Sequence, residues 1–407
     1  MSTAQAQGRV GRVEFTGSRH ELMLVILRGY TLMIPTLGLY RFWLATWKRR
    51  FYWQNTIIDG DPLEYTGNAN QLLLGFLFSL AFFLPIYIAL FYVSMQDPHW
   101  TLFGYLGAGA ALWFLAGYAI YRARDFRLSR TLWRGIRFDQ KGNGWVYALR
   151  RFVWSVPMVL TIGLIYPWMA SSLWHYRWRN CWYGDRRLDI AGNWRVFALP
   201  YYVTYLINAV AIVATVTWIE NARSFIQIGA IGIPAPLQLL GCLGCALVFA
   251  LSLAWYRATT ATRMLSSVSL GEAKLTLNVP PTSLFAQYIA YAALVLLFIA
   301  AIALVLLIAL AALYATAAQN GRVAETSILD LLQHGTINVV LVILLYLVVL
   351  GTLGLLAELV LGLGWWRLLA RGATIENPDS LLTVKATVED RTLVGQGLAD
   401  ALNVGAY

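Results

Sequence analysis

The sequence predicts an all-α polytopic membrane protein with internal repeats and a small β component. The first observation is composition, because 59% of the 407 residues are hydrophobic and only 13% are charged, whereas charged residues approach a quarter of a soluble domain. The second is a set of eight apolar stretches, each near or beyond the roughly 20 residues that cross a bilayer. The third is a basic, aromatic stretch at 36–68 that returns at 161–193 without a gap.

Six of the apolar stretches are predicted to span the membrane, and two are predicted to be broken. The six are 72–93, 102–121, 196–218, 237–256, 284–314 and 337–363. The other two, 22–44 and 152–174, contain the helix-breaking residues Pro35 and Gly38, and Pro157, Gly163 and Pro167, respectively. A half-helix of about twelve residues is about 18 Å long, which is too short to cross the hydrocarbon layer.

The distribution of Lys and Arg favours the same topology. The loops at 45–70 and 175–195 are both basic, and short basic loops stay in the cytoplasm. Both loops can lie inside only if the two broken segments enter the membrane and return, or lie along its interface. We therefore predict six full spans, two re-entrant segments and both termini in the cytoplasm. The alternative is eight ordinary spans with an imperfect charge bias.

The repeat divides the chain into units separated by helical pairs. We expect a first repeat at 1–70, a helical pair at 71–121, a second repeat at 122–195, a helical pair at 196–256, a third, diverged unit with two long spans at 257–371, and a cytoplasmic tail at 372–407. The third unit is suggested by the TLGL of 352–355, which echoes the TLGL of 36–39. Strand-like pieces lie between the apolar segments and are predicted to pair into a small cytoplasmic sheet. They are 11–17, 57–65 with a turn at Asp59 and Gly60, 135–143, 185–193, 268–279 and 380–390.

Several motifs resemble the YjgN family of bacterial inner-membrane proteins, which has no established function. They are FTGSRHEL at 15–22, TLGLYRFW at 36–43, KRRFYWQNTIIDG at 48–60 and GQGLADAL at 395–402. The resemblance implies a multi-pass protein of the bacterial cytoplasmic membrane, and it carries over no activity, substrate or catalytic residue. It also implies a candidate partner, a membrane zinc peptidase whose gene often neighbours those of the family.

Motifs that carry catalysis are missing from the sequence. The four histidines, His20, His99, His175 and His334, are scattered, and none has the spacing of a metal site. No GxSxG, P-loop or paired-carboxylate motif occurs. We therefore expect no enzyme, no cofactor and no metal.

Two ionisable residues inside apolar segments are candidates for an intramembrane polar site. Glu358 in the last span could be a proton or cation site or a counter-charge, and equally a carboxylate that reaches the headgroups. Arg28 could pair with Glu358 or bind a lipid phosphate. A shallow position from which it snorkels to the interface is the favoured interpretation.

Two basic and aromatic clusters are candidates for contacts with anionic lipid headgroups. They contain Lys48, Arg49 and Arg50, and Arg177 and Arg179, and arginine offers forked donors to phosphate. Ordinary interfacial anchoring would produce the same pattern and is favoured. The net charge of +11 lies beside membrane segments, so lipid is a better partner for it than nucleic acid.

Repeated, broken helices are a common design of transporter sites. The sequence therefore favours a non-enzymatic transporter or channel-like protein for a small solute or lipid. The alternative is a scaffold or regulator of a partner membrane protein such as a peptidase. A continuous polar cavity would favour transport, and a solidly packed interior would favour the scaffold. The substrate and the oligomeric state remain open.

Overall fold

Helices dominate the computed structural model, which describes residues 9–96, 98–222, 225–228, 231–234, 236–319 and 336–387. The helices are α1 Arg19–Met33, α2 Arg41–Gln54, α3 Ala69–Gln96, α4 Pro98–Ser129, α5 Gly144–Leu160, α6 Tyr166–Arg179, α7 Arg195–Ala222, α8 Pro236–Leu265, α9 Pro281–Gln319, α10 Thr336–Leu356 and α11 Leu363–Gly372. A π-helical segment, Ala357–Gly362, joins α10 to α11, and a 3-10 helix follows at Pro378–Thr383.

The strands are β1 Val10–Phe15, β2 Thr56–Ile58, β3 Asp61–Tyr65, β4 Thr131–Trp133, β5 Ile136–Gln140, β6 Cys181–Tyr183, β7 Arg186–Arg187, β8 Asp189–Ile190, β9 Phe225–Ile228, β10 Ile231–Pro234, β11 Val268–Leu270, β12 Ala273–Leu277 and β13 Ala373–Glu376. Two compact parts are distinguished along the chain. The first contains residues 1–281 and 368–407, and the second contains 282–367.

Eleven of the described strands form a sheet whose two ends meet in one short stretch of chain. Its order is β7-β6-β5-β4-β3-β2-β1-β13-β12-β11-β8, and all the pairs are antiparallel. Only Leu188 separates β7 from β8. In this stretch, β7 pairs with β6 and β8 pairs with β11, so residues 186–190 join the two ends of the sheet. The sheet is therefore barrel-like, and full closure leaves few unpaired edges. We call it the strand ring.

The same β-α-α-β pattern occurs five times in the described chain, and each time its first and last strands pair. The units are 10–58, 61–133, 136–183, 186–270 and 273–376. The pairing of β13 with β1 joins the last unit to the first. The predicted β component is thus present, but it is larger than a few paired strands and depends on every unit.

Tight two-residue turns connect consecutive units. They are Asp59-Gly60, Arg134-Gly135, Gly184-Asp185 and Gly271-Glu272, and each contains at least one residue with positive φ, between 50° and 90°. Such turns match the twist of a hairpin, and the predicted turn at Asp59 and Gly60 is confirmed. Because every turn links the last strand of one unit to the first of the next, all four lie at one edge of the strand ring. The helical pairs leave from and return to the opposite edge.

Apolar side chains fill the strand ring. Trp133, Tyr183 and Ala273 are buried there together with Leu381 and Val384, which follow the last strand. The predicted strand at 380–390 is wrong, because residues 378–383 form a 3-10 helix and residues 384–387 are irregular. Asn377 has a left-handed backbone (φ 53°) and Pro378 lacks an N–H, so the chain turns out of β13 and into the ring. Residues 388–390 lie outside the described range, as does the 395–402 motif.

Helix length differs between the units. In units 1 and 3 the helices have 14 to 17 residues, whereas α3, α4, α7 and α8 have 28 to 32. The predicted broken stretches 22–44 and 152–174 thus each fold as two short helices joined by a turn. At 1.5 Å per residue these helices are about 21 to 26 Å long, shorter than a hydrocarbon core of about 30 Å.

Four described helical segments are long and apolar enough to cross a membrane: Arg195–Glu220, Leu240–Leu265, Pro281–Ala309 and Ile343–Gly372. They correspond to four of the six predicted spans. The predicted spans 72–93 and 102–121 lie in α3 and α4, respectively, and the shorter apolar segments Ala69–Phe78 and Leu84–Val93 both lie in α3. The count of six spans remains a prediction.

The second compact part contains most of α9, all of α10, the π-helical segment and the start of α11. Residues 352–355, the predicted third echo of the repeat, lie inside α10 and form no turn. The sequence echo therefore marks no helix reversal at this position. Leu356 and Ala357 stand where unit 1 has Tyr40 and Arg41, and the chain continues into the π-helical segment.

Candidate functional site

The α1–α2 and α5–α6 pairs reverse direction through the same backbone conformation. Leu37 and Gly38 have φ of 49° and 85°, and Ile162 and Gly163 have φ of 51° and 88°. These positions are 125 residues apart, which is the offset of the sequence repeat. The sequence alignment is thus reproduced in three dimensions at its least regular point.

A threonine hydroxyl stabilises each reversal in the same way. Thr36 Oγ1 donates to Leu32 O at 2.7 Å and accepts from Tyr40 N at 3.1 Å. Its equivalent, Thr161, donates to Pro157 O at 2.8 Å and accepts from Ile165 N at 3.3 Å. The hydroxyl thereby satisfies backbone groups that the end of one helix and the start of the next leave unpaired.

The structural repeat is longer than the sequence repeat and begins in the preceding strand. Three further pairs of equivalent contacts lie at the same offset. In the first pair, Ser18 caps the start of α1 and Asn143 caps the start of α5. In the second, Asn55 O accepts a hydrogen bond from Thr16 N, and Asn180 O accepts one from Lys141 N. In the third, the side chain of Arg50 bonds Gly67 O, and the side chain of His175 bonds Gly192 O. Units 1 and 3 are therefore equivalent from about residue 10 to residue 68 and from about 135 to 193.

Both reversals end in exposed apolar tips. Leu37 is 94% exposed and Ile162 is 79% exposed, and Ile34, Val159 and Leu160 are exposed beside them. Three tyrosine hydroxyls of α7 hold the second tip, because Tyr201, Tyr202 and Tyr205 donate to the carbonyls of residues 162–164. Large apolar side chains displayed on an ordered tip indicate contact with something apolar.

Not every predicted break residue lies at a break. Pro35, Gly38 and Gly163 are in the two turns. Pro157 is inside α5, which continues to Leu160, so the break predicted there is wrong. A proline removes one hydrogen bond of a helix but does not have to end it. Pro167 lies in the first turn of α6, where its missing N–H costs nothing.

The first basic cluster contacts the end of β3 through Arg49 and Arg50. Arg49 Nη1 donates to the Tyr65 hydroxyl at 3.1 Å, and Arg50 Nη2 donates to Gly67 O at 3.2 Å. Both bonds fasten α2 to the end of β3, while Lys48 lies half-buried on the same helix. These contacts give Arg49 and Arg50 a structural role that the sequence pattern does not reveal.

The two predicted intramembrane residues belong to different compact parts. Arg28 of α1 lies with its guanidinium 5.0 Å from the centre of the Trp47 ring. Glu358 is half-buried in the π-helical segment of the second part. Single π-helical turns inside long helices are frequent at functional positions, so Glu358 remains a candidate.

Three arginines from three consecutive helices lie together near the strand ring: Arg124 of α4, Arg151 of α5 and Arg177 of α6. Burial, followed by the neighbouring Arg177 guanidinium, lowers the pKa of Arg124 to about 10. Burial also lowers the pKa of Arg151, with Arg177 acting in the same direction and Tyr147 opposing it. We call these three residues the arginine cluster.

Aromatic rings orient two members of the arginine cluster. The Arg124 guanidinium lies 4.6 Å from the centre of the Trp178 ring, and the Arg151 guanidinium lies 4.4 Å from that of Trp113. Arg151 Nη1 and Arg177 Nε are buried and have no hydrogen-bond partner among the described residues. Arg179, predicted together with Arg177, is exposed and donates no side-chain hydrogen bond to the described residues, so it is not a member of the arginine cluster.

Of the three arginines, the sequence pattern singles out only Arg177. The signal for the other two is the concentration of nine Lys and Arg residues in 122–151, which by itself predicts only a cytoplasmic location. The sequence does not show that these arginines come together, because Arg124 and Arg151 are 27 residues apart and no local pattern links them. In the described residues no group of three or more His, Cys, Asp or Glu side chains could hold a metal ion.

Comparison with known proteins places the chain in a family without an assigned activity. No curated protein matches, and no solved structure matches. A family model described as a bacterial protein of unknown function, DUF898, matches residues 10–297, from β1 into α9. The match supports the resemblance to bacterial proteins of unknown function, and membership of the narrower YjgN family stays a prediction. Since the model covers well over half of the sequence, the chain belongs to the DUF898 family of bacterial proteins of unknown function.

Proposed function

We propose that this protein is a non-enzymatic membrane transporter or channel-like protein whose cargo is a lipid or another small amphiphilic solute. The single observation that carries the proposal is the pair of short helical hairpins in units 1 and 3. They are too short to cross a bilayer, they end in exposed apolar tips, and they alternate along the chain with much longer helical pairs.

Such hairpins would end within the hydrocarbon layer. The strand ring supports this arrangement, since every helical pair leaves from and returns to one edge of it. A long pair then crosses the membrane twice, and a short pair enters and returns on the side of the ring. With three long pairs this gives six spans and two re-entrant hairpins, with the ring on the side of the basic loops, which is the cytoplasm. Interrupted helices at membrane depth are a recurrent feature of transporter sites.

The packed interior of the strand ring favours lipid over a water-soluble cargo. Trp133, Tyr183, Leu381 and Val384 fill the ring, so an aqueous path through it would have to displace well-packed side chains. A lipid can instead move along the outer surfaces of the helices, where most exposed residues of α7 and α8 are apolar.

Lipid movement can be tested in proteoliposomes that contain fluorescent phosphatidylglycerol in both leaflets. Dithionite bleaches only the outer leaflet, so protein-free vesicles lose about half of the signal, and wild-type protein is expected to increase the loss. An Ile162→Asp variant should reduce this increase, because a charge at membrane depth costs several kcal/mol. The matched control is Leu382→Asp, which changes an exposed leucine of the 3-10 helix at the strand ring.

The alternative is a scaffold or regulator of another membrane protein, such as a peptidase. The packing of apolar side chains inside the strand ring favours it, because a packed ring offers a rigid platform for a partner. Unchanged bleaching by folded wild-type protein would contradict the lipid-movement proposal. Co-purification of a peptidase from bacterial membranes with the same protein would then support the scaffold.

A further inference from the structure

We propose that Arg124, Arg151 and Arg177 form a binding site for a phosphate group. The site is distinct from the hairpin tips, and it does not depend on whether the protein moves lipid. Its ligand is defined by chemistry as a phosphate monoester or diester, supplied either by an anionic lipid headgroup or by a free phosphate compound.

Three different helices supply the arginines, and all three residues lie near the helix ends that adjoin the strand ring. Arg124 is five residues before the end of α4, Arg177 is two before the end of α6, and Arg151 is seven after the start of α5. At 1.5 Å per residue the cluster is within about 10 Å of the ring edge. The α5–α6 tip is eleven residues beyond Arg151, which is about 16 Å deeper.

This depth is that of a headgroup layer. If the tip ends near the middle of a hydrocarbon core of about 30 Å, a point about 16 Å above it lies at the boundary between acyl chains and phosphates. Trp178 and Trp113, on which two of the guanidiniums stack, are residues that favour the same boundary.

The charged groups with the largest effect on the cluster are themselves arginines. The groups that act on the Arg124 guanidinium are Arg177, Arg127, the Cys181 thiol, to which Arg124 also hydrogen-bonds, and Tyr147, and those that act on Arg151 are Tyr147 and Arg177. The neighbouring Asp125 pairs with Arg122 at 3.0 Å. Buried like charges destabilise a protein unless an opposite charge compensates them.

Unused donors point to the compensating group. Arg151 Nη1 and Arg177 Nε are buried without a hydrogen-bond partner among the described residues. Arginine never accepts hydrogen bonds, so only an acceptor can satisfy these atoms, and phosphate oxygens are the acceptors that fit its forked geometry.

The test is binding to the full-length protein, washed free of lipid in an uncharged detergent and monitored by thermal unfolding. The probes are phosphatidylglycerol, phosphatidylcholine and inorganic pyrophosphate. Arg177→Gln and Arg151→Gln should each weaken binding of the active probe about ten-fold or more, which is the loss expected for one charge-assisted hydrogen bond. The matched control is Arg179→Gln, which removes the same charge two residues away on the same helix and should leave binding unchanged.

Stabilisation by phosphatidylglycerol with the expected variant pattern identifies a lipid headgroup, and stabilisation by pyrophosphate with that pattern identifies a free phosphate compound. Arg177→Lys, which keeps the charge but loses the fork, should recover part of the affinity and guards against a misfolded glutamine variant. The proposal is overturned if no probe stabilises wild-type protein, or if Arg179→Gln weakens binding as much as Arg177→Gln. Neither result bears on the bleaching assay, so the two proposals fail separately.

Discussion

Replacement of Arg124 by methionine should stabilise the protein when no anion is bound. Methionine keeps a long, flexible side chain in contact with Trp178 but removes a buried charge that faces Arg177 and Arg127. Most single substitutions destabilise a protein, so an increase in stability would be a distinctive result.

The pKa of Arg124 sets the size of the effect. Its fall from the usual arginine value to about 10 means that the unfolded chain binds a proton more tightly than the folded protein. The stability of the wild-type protein is therefore lowest below pH 10 and increases as the pH rises above about 10. At 1.36 kcal/mol per unit, the charged form costs about 3 kcal/mol at neutral pH. Loss of the stacking on Trp178 offsets about 1 kcal/mol, so the net stabilisation is about 2 kcal/mol.

Thermal unfolding in uncharged detergent, after extended washing to remove lipid, measures this difference. The Tm of Arg124→Met should exceed that of the wild type, and the same substitution at exposed Arg179 should change stability by less than about 0.5 kcal/mol. Added phosphatidylglycerol should stabilise the wild type more than Arg124→Met. A fall in Tm for Arg124→Met would refute the reasoning, because it would mean that the guanidinium already has adequate compensation inside the protein.

Two further substitutions test the strand ring. Asp59→Asn should destabilise the protein by about 1 to 3 kcal/mol in urea unfolding, because the Asp59 carboxylate is only 8% exposed and forms ion pairs with Arg9 at 3.1 Å and Arg134 at 3.0 Å. Asparagine tolerates the positive φ of this position, so backbone strain adds nothing to the effect. An unchanged unfolding midpoint would show that the two ion pairs do not stabilise the fold. Gly142→Ala should destabilise the protein by more than about 1 kcal/mol, because the added Cβ would clash with the hydroxyl of the buried Tyr121. A Tm equal to that of the wild type would contradict this close packing of Gly142 against Tyr121.

Features with local causes are visible in the sequence. The repeat of units 1 and 3 is one, because a left-handed turn requires Gly38 and Gly163, and the hairpin at Asp59 and Gly60 is another, because few residues tolerate that backbone. Strand pieces near 11–17 and 268–279 were also found, since alternation and turn residues mark them.

Closure of the strand ring could not be predicted in this way. β1 pairs with β13 across about 360 residues, and the two-residue strands β7 and β8 are too short to show a pattern. The interpretation of 380–390 as a strand is wrong because Leu381 and Val384, which are three residues apart, are both buried inside the ring. A single 3-10 turn places such residues on one side, whereas an extended strand places them on opposite faces. The arginine cluster was missed because its members meet only after three helices have packed.

The most direct test of the account is the accessibility of single cysteines in a background without Cys181, Cys242 and Cys245. Gln54 and Arg179 are repeat-equivalent and exposed near the strand ring, Leu37 and Ile162 are the repeat-equivalent tips, and exposed Glu220 lies at the far end of α7. An impermeant thiol reagent should label Gln54→Cys and Arg179→Cys from the cytoplasmic side only, Glu220→Cys from the opposite side only, and the two tips from neither. Two results would show that a short helical pair crosses the membrane: labelling of Gln54→Cys and Arg179→Cys from opposite sides, or labelling of either tip from the outside. The proposed alternation of spanning and re-entrant hairpins would then be wrong.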